Sequence, residues 1–400
     1  MTSKNEFCFR SSRSCFRRIL ATAFSAVAVM ASFVPGSAQA DQGLLSAALL
    51  GETEEKPFID VKGWLSQGFT WNTKSSGNNG PVGFNDSGNE YQMNQLYLAL
   101  DRSVAQEADE WDLGGRVDVM YGTDARFVRS VGFDDSITDR YYSLAIPQAY
   151  LETNIPVLDG VTFKAGHFYS PVGYERVTAP DNFFYSRSYA RIYGEPITHW
   201  GGLFSKSFCD GQYNVYAGAV QGWDNLDDYT DHNLSFLGGF SSEIAEGTVL
   251  AGSVISGNEG VQLNRTLVNV WVSHEFTDKL KWVVQHDNGF QELAGGSNAQ
   301  WFGFSNYVVY KLSDMLSTGV RGEWFRDDDG FAVANTSRSS VGSKGSYWGL
   351  SWGVNVNPVS YFTLRPEVRY DWKRSPKTEP FDRGTNNDQL LVAMDAIFKF

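Results

Sequence analysis

The sequence predicts an all-β fold, namely a transmembrane antiparallel up-and-down β-barrel of about sixteen strands. Three observations predict it. Apolar residues recur at every second position over many segments, and the connections between those segments alternate between brief and long. The opposite face of the segments carries charged side chains of both signs. Each observation is weak alone, but together they are typical of a barrel in a lipid bilayer.

The end of the chain shows the alternation most clearly. In DQLLVAMDAIFKF (388–400), every even position from 390 to 400 is apolar, whereas Asp395 and Lys399 take the other parity. Successive side chains of a strand point to opposite faces, so a period of two predicts a strand. Period and turn residues together predict strands at 58–72, 91–102, 111–122, 145–155, 160–170, 197–208, 211–223, 233–244, 247–256, 265–276, 279–289, 299–312, 314–326, 344–356, 359–372 and 388–400.

The lengths of the connections indicate which kind of β fold this is. Brief connections such as 209–211, 245–247 and 277–278 alternate with longer ones such as 171–196 and 327–343. This order is expected when one end of every hairpin lies in the periplasm and the other outside the cell. With an even number of strands, the first strand then begins and the last strand ends on the side of the brief turns.

The polar faces of the strands predict a wet interior. Arg365, Glu367 and Arg369 share one face of FTLRPEVRYDW (362–372), and Arg116 and Asp118 share one face of WDLGGRVDVMY (111–121). A dry core could not hold so many charges, because burying an unpaired charge is very unfavourable. We therefore expect these five residues to line a water-filled lumen. The whole predicted wall has nine basic side chains, Lys206 among them, and nine acidic ones, so it should select little by sign.

The N-terminus has the three parts of a secretory signal peptide, predicted at residues 1–40. A basic head precedes an apolar stretch (19–34), and Ala38 and Ala40 then have the Ala-x-Ala spacing of a cleavage site. Without these residues, 28 Lys and Arg face 45 Asp and Glu, a net charge of −17. Such a chain is not expected to bind nucleic acid. Cys209 is then the one remaining cysteine, and the role of residues 41–57, predicted as a periplasmic segment, stays open.

The chain beyond residue 40 resembles a known family over most of its length. The segments NQLYLALDRSV with WDLGGRVDVMYGTDARF (94–127), QAYLETNIPVLDGVTFKAGHFYSPVGYE (148–175) and GGLFSKSF (201–208) are similar to the β-barrel porin-2 family, described as OmpL-like. The resemblance implies a porin of the bacterial outer membrane. It supplies no established functional residues. We therefore expect a water-filled channel through which small hydrophilic solutes diffuse passively, ions first and sugars as further candidates.

The third long connection, PVGYERVTAPDNFFYSRSYARIYGEP (171–196), is too aromatic for an ordinary exposed loop. Two interpretations stay open: it folds into the lumen as a constriction, or it packs over the rim or against a neighbouring subunit. In a constriction, charged side chains would decide which ions pass. The candidate constriction residues are Arg176, Arg187, Arg191, Glu175, Asp181 and Glu195. Aromatics such as Tyr185, Tyr189 and Tyr193 could offer faces to sugars.

The partners expected of this chain are outer-membrane lipid, the outer-membrane assembly machinery and small solutes, with a homotrimer as one candidate state. The terminal Phe400 resembles the signal that the assembly machinery reads. We predict no metal, no cofactor and no enzyme activity, because no metal-ligand spacing or nucleophile motif is present. The sequence leaves open calcium binding at the acidic tip DDDG (327–330) and a nucleophile with a base at one rim. The alternative function is that of a secreted soluble β protein that binds or hydrolyses carbohydrate.

Overall fold

The structure is a computed structural model that describes residues 58–74, 77–105, 110–138, 140–226, 234–259, 263–333, 344–374 and 379–400. The predicted signal peptide (1–40) and the segment 41–57 lie outside the described residues. Within the described part, the chain forms sixteen strands: β1 (Asp60–Asn72), β2 (Glu90–Arg102), β3 (Asp112–Gly122), β4 (Ser143–Ile155), β5 (Val161–Tyr169), β6 (Thr198–Phe208), β7 (Tyr213–Val220), β8 (Ser235–Ala245), β9 (Thr248–Glu259), β10 (Leu263–Thr277), β11 (Leu280–Glu292), β12 (Asn298–Lys311), β13 (Leu316–Asp327), β14 (Gly345–Val359), β15 (Phe362–Arg374) and β16 (Asp388–Lys399).

The strands form one closed antiparallel barrel, which confirms the predicted fold class. Each strand pairs with its neighbours in sequence, and β1 closes the barrel against β16 with Phe69 opposite Met394. The turns at one end are brief, with two residues between β8 and β9 and two between β10 and β11. Closure pairs every strand edge, which a β-sheet in hydrocarbon requires because unpaired backbone groups find no water there.

The alternation of faces also agrees with the prediction. On β10, Val268 and Val270 are 50% and 38% exposed on the outer face, whereas Asn269 between them is buried on the inner face. Near the external ends of β13, β14 and β15, the rings of Trp324, Trp348 and Trp372 form a row with centroids 6.1 Å apart. Amphipathic rings of this kind favour the boundary between lipid and water. The outer surface therefore has the apolar band and aromatic girdle of a membrane barrel.

In the described part of the chain, helical structure is confined to short turns in the long connections. The described residues contain two 3₁₀ helices, Asp124–Phe127 and Ala179–Asp181, and one π-helical turn, Ala190–Gly194. No helix in the described part of the chain has the length and apolar character needed to span a membrane.

Several long connections fold inward and fill part of the barrel. Phe84, Phe127, Ile192 and Val333 come from four different connections and join one buried apolar cluster with Trp301 of β12. The rings of Phe84 and Phe127 stack with centroids 5.0 Å apart. Part of the interior is therefore a packed apolar core rather than water, although many inner-face residues of the strands are polar or charged.

Candidate functional site: the inner loop and the passage beside it

The connection 171–196, hereafter the inner loop, lies inside the barrel. The Ser186 amide donates to the Glu367 carboxylate on β15 (2.9 Å), and the Tyr189 amide donates to Glu323 on β13 (2.6 Å). The Tyr189 hydroxyl also donates to Asp371 on β15 at 2.9 Å. Of the two interpretations left open by the sequence, the contacts favour the one in which this loop enters the lumen.

Three arginines of the same wall donate hydrogen bonds to acceptors of the inner loop. Arg321 on β13 donates to the Glu175 carboxylate (2.9 Å) and to the Ser186 carbonyl (2.8 Å). Arg365 on β15 donates to the carbonyl of Ala179 at 2.9 Å, and Arg369 donates to that of Arg187 at 2.7 Å. The loop therefore meets both donors and acceptors on the wall, and the buried charges pair with each other or with backbone groups.

Room for the loop comes from glycines on the inner face of the wall. A Cβ at Gly68 of β1 would lie 2.7 Å from the Tyr185 ring, and a Cβ at Gly319 of β13 would lie 2.7 Å from the Phe183 ring. Larger residues at these two positions would force the loop away from the wall. The glycines therefore permit the close approach of the aromatic residues that made the loop conspicuous in the sequence.

Four of the six candidate constriction residues are buried. Arg187 and Arg191 are each 2% exposed, and their guanidinium groups donate within the loop, to the carbonyl of Tyr185 (2.9 Å) and to the Glu195 carboxylate (2.9 Å), respectively. Glu175 and Glu195 are buried beside them. These four side chains fix the shape of the loop and do not face an open passage.

The two buried carboxylates of the loop differ in their surroundings. Burial raises the pKa of Glu175, but the nearby Arg321 and Arg187 guanidinium groups outweigh burial, so this pKa lies below its ordinary value. Burial raises the pKa of Glu195 to about 8, and the neighbouring Asp287 carboxylate adds to the effect. One carboxylate is therefore held charged at neutral pH, while the other is favoured in its protonated form.

The other two candidate constriction residues, Arg176 and Asp181, are exposed inside the barrel. The Asn182 side chain fixes the backbone of Arg176, since its Oδ1 accepts from the Arg176 amide and its Nδ2 donates to the Arg176 carbonyl, each at 2.9 Å. The guanidinium group of Arg176 has no hydrogen-bond or ion-pair partner among the described residues, but it interacts electrostatically with Tyr216 on β7. The loop therefore presents one cation and one anion to water.

The inner loop touches strands β6 to β9 through Val172 at its start, which joins a buried apolar cluster with Leu203, Val220, Leu237 and Ile255, and it leaves the rest of this part of the wall open. Hydrogen bonds between loop and strands run to β2, β11, β12, β13 and β15, and within the described residues none reaches β6 to β9. The half-buried inner residues of these strands are small or neutral at mid-height: Ser205, Tyr216, Gly218, Gly239, Ser241 and Ser253. We call this surface the open wall.

Two predictions about the wall need correction. Lys206 was expected inside, but it shares a face with the outward Phe204, which is 50% exposed, and its ammonium group donates to the Asp159 carbonyl at the end of the strand. Tyr185, Tyr189 and Tyr193 were expected to offer faces to sugars, but all three are buried against the wall. The sequence pattern identified both sets by residue type, and residue type alone does not show what covers a side chain.

The remaining predicted wall residues lie on the inner face. Arg116 and Asp118 of β3 form an ion pair of 2.8 Å, and the buried Asp118 also accepts from the side chains of Tyr97 and Gln148. Arg365, Glu367 and Arg369 are buried beneath the inner loop. At the tip 327–330, the Asp327 carboxylate accepts from the amides of Gly330 and Phe331. No group of three or more metal-ligating side chains occurs in the described part of the chain.

A closed sixteen-stranded barrel with an apolar outer face and a loop folded into its lumen defines a channel of the bacterial outer membrane. The sequence agrees, because the model of one family, "Putative beta-barrel porin-2, OmpL-like", matches residues 58–400. The chain belongs to this porin family, which confirms the predicted resemblance, the outer-membrane location and the passive channel. Neither the barrel fold nor the family match supports the alternative of a secreted soluble protein that binds or hydrolyses carbohydrate.

Solved structures of other barrels share the fold at low sequence identity. The outer membrane channel DcaP of Acinetobacter baumannii is 15% identical, with a TM-score of 0.56 over 87% of this chain and 99% of that one. An anion-selective porin from Comamonas acidovorans is 9% identical, with a TM-score of 0.58 over 86% and 99%. The trimer form of OmpT from Vibrio cholerae is 11% identical, with a TM-score of 0.55 over 86% and 99%. No curated protein sequence matches the chain at a significant level.

Proposed function

We propose that small hydrophilic solutes, ions among them, diffuse passively between the exposed part of the inner loop and the open wall. The observation that carries this proposal is the exposure of Arg176 and Asp181 inside the barrel, opposite a wall of small, neutral side chains. Because the two loop charges are of opposite sign and the open wall adds none at mid-height, selectivity by sign should be weak. No step of this function requires a catalytic group, so we propose a channel and not an enzyme.

A planar lipid bilayer under a salt gradient tests the path. Replacing Arg176 with Ser removes the exposed cation and leaves Asp181, so the reversal potential should shift toward cation preference. Lys206→Ser is the matched control, because it removes the same charge from the outer face and should leave the reversal potential unchanged. An unchanged reversal potential in Arg176→Ser, with unchanged conductance, would mean that ions do not pass this residue.

The route to the membrane is part of the same proposal. We propose export through the signal peptide at 1–40, insertion into outer-membrane lipid by the assembly machinery, and association as a homotrimer, for which the trimer form of OmpT is a precedent. Gel mobility before and after heating tests the oligomer. A single band at the monomer position in the unheated, folded sample would contradict it.

Phe400 is the proposed assembly signal. Its amide and carbonyl pair with the carbonyl and amide of Gly63, both at 2.9 Å, and its ring lies over Gly63. Phe400→Asp should lower the amount of heat-modifiable barrel in outer membranes, whereas the neighbouring Lys399→Gln should not. Equal yields from the two variants would remove Phe400 from this role.

A further inference from the structure

A file of aromatic rings connects the inner loop to the wall. Its members are Trp271 on β10, Tyr174 on the loop, Tyr307 on β12, and then Phe184 and Phe183 on the loop. Successive ring centroids are 5.6, 5.3, 6.4 and 5.0 Å apart. Aromatic rings in offset or edge-to-face arrangements at such distances attract each other. We call this set the aromatic file.

The middle of the file is packed core, but its other members are not. Tyr307 and Phe184 are 3% exposed, whereas Trp271, Tyr174 and Phe183 are half-buried and keep part of each ring toward the lumen. Aromatic surface that stays wet in a lumen is unfavourable unless something covers it. The three half-buried rings therefore differ from the buried tyrosines of the same loop, which the wall covers completely.

The polar edges of these rings are available for hydrogen bonds. Among the described residues, neither the Tyr174 hydroxyl nor the Trp271 indole N–H has a hydrogen-bond partner. Arg176 and Asp181 lie exposed on the same loop as Tyr174, and Lys281 and Glu275 form an exposed pair of 3.2 Å on the wall near Tyr174. The surroundings thus supply both hydrogen-bond donors and acceptors. Their two positive and two negative charges balance, so neither sign is in excess.

We propose that the half-buried rings of the aromatic file, Trp271 and Tyr174 in contact at one end and Phe183 at the other, form a two-position stacking subsite for neutral sugars, specifically pyranosides whose hydroxyl groups are equatorial. Such a ring has apolar C–H groups on its faces and hydroxyls at its rim. The C–H groups suit the electron-rich faces of the aromatic rings, and the hydroxyls suit the surrounding polar groups. The open wall opposite has no charge at mid-height that would favour an ion over a neutral solute. This inference rests on the proposed channel and adds a class of solute to it.

The test is a titration of single channels in a planar bilayer with cellobiose, whose two rings have flat apolar faces. Cellobiose should reduce the ion current in a saturable way as it occupies the subsite. Sorbitol at equal mass concentration has hydroxyls but no ring, so it should reduce the current only as far as it lowers the conductivity of the bulk solution. Saturable reduction of equal size by sorbitol would overturn the stacking proposal.

Variants assign the effect to the aromatic file. Trp271→Leu should weaken the apparent affinity for cellobiose by roughly tenfold, the loss expected for one well-placed aromatic contact. Trp271→Phe and Tyr174→Phe keep an aromatic ring and should retain most of the affinity. They therefore distinguish loss of the aromatic contact from loss caused by misfolding. Trp352→Leu, which removes an indole from the lipid-facing surface of β14, is the control and should bind cellobiose as the unmodified protein does.

The outcomes separate this inference from the channel itself. Normal ion conductance without saturable block by cellobiose would overturn the subsite and leave the channel intact. An affinity in Trp271→Leu equal to that of the unmodified protein would likewise overturn the assignment of the subsite to the aromatic file. Absence of any ion conductance from correctly folded protein would instead contradict the proposed function.

Discussion

Two regions of the same inner wall behave in opposite ways. Beneath the inner loop, Arg321, Glu367 and Arg369 are at most 3% exposed, although all three point into the barrel. On the open wall, inner residues such as Ser253 and Gly239 stay half-exposed. An inward side chain is therefore not always a side chain in water, because a folded-in loop turns part of a lumen into a protein interior.

Charge follows this division. The covered wall concentrates arginines and carboxylates, where each finds a partner such as the pair Arg365–Asp395 at 2.6 Å. Buried ions are tolerated only when paired and hydrogen-bonded, and the backbone groups of the loop provide many of these bonds. The open wall carries small, neutral side chains at mid-height, which leave more width for a solute than large charged side chains would. The two regions therefore have separate tasks: one holds the loop and the other leaves the passage.

The largest effect should come from removing the loop's main contact on the covered wall. Arg321→Ala leaves the buried Glu175 without its ion-pair partner and Glu323 with Arg369 as its remaining one, and breaking a buried pair in this way typically costs about 3–5 kcal/mol. We expect the inner loop to leave its position, so that single-channel conductance rises and the thermal transition of the barrel falls. Bilayer recordings and circular-dichroism melting measure the two quantities.

The control for this variant is an exposed ion pair of the same inner face. Lys281→Ala breaks the contact to Glu275, in which both side chains are at least 40% exposed, so little stability should be lost. Identical conductance and melting in Arg321→Ala and the unmodified protein would mean that the covered wall does not hold the loop.

A smaller effect should follow from filling the space that a glycine leaves for the loop. Gly319→Val would collide with the Phe183 ring, and overpacking of this kind costs roughly 1–3 kcal/mol. Conductance should change because Phe183 lies two residues from the exposed Asp181, so displacing its ring should also shift that charge. Gly322→Val on the same strand is the matched control, because no atom lies within 4 Å of its Cβ on the outer face. If both variants conduct alike, the space at Gly319 is not what seats the loop.

The sequence was sufficient for the barrel but not for the division of its wall. The strand positions follow from a period of two and from turn residues, and every predicted boundary lies within three residues of the observed one. The inward face of Arg365, Glu367 and Arg369 also follows from parity. Their burial does not, since it depends on contacts with a loop about 180 residues earlier in the chain.

Other errors have local causes. Lys206 was assigned inward because it is charged, yet a long side chain at the end of a strand can reach water from the outer face as well. Trp271 was overlooked, although it shares the parity of Asn269 and Ser273 on a face predicted to be polar. An aromatic residue on a polar face was the available signal for the aromatic file.

The smallest expected effect concerns pH. Glu195 contacts Arg191 and Gln285, lies beside Asp287, and interacts with the exposed Arg176. Burial, reinforced by Asp287, raises its pKa from 4.5 to about 8. A group whose pKa is raised by folding contributes stability that is fully present below its unfolded pKa and is lost as the pH rises through its folded pKa. The contact between loop and covered wall should therefore weaken as the pH rises from about 4.5 to about 8 and stay weak above that.

Glu195→Gln separates this titration from other effects of pH. The amide keeps hydrogen-bonding capacity but cannot ionise, so the variant should lose the change in loop position between pH 6 and pH 9. Mean open-channel conductance and its fluctuations, recorded across that range, measure the effect in both proteins. The unmodified protein should show larger fluctuations at the alkaline end, because the ionised Glu195 carboxylate and the Asp287 carboxylate repel each other. This repulsion loosens one contact between loop and wall, while Arg321 and Arg369 still hold the others. The same pH dependence in both proteins would assign the titration to a different group and leave Glu195 with a purely structural contact.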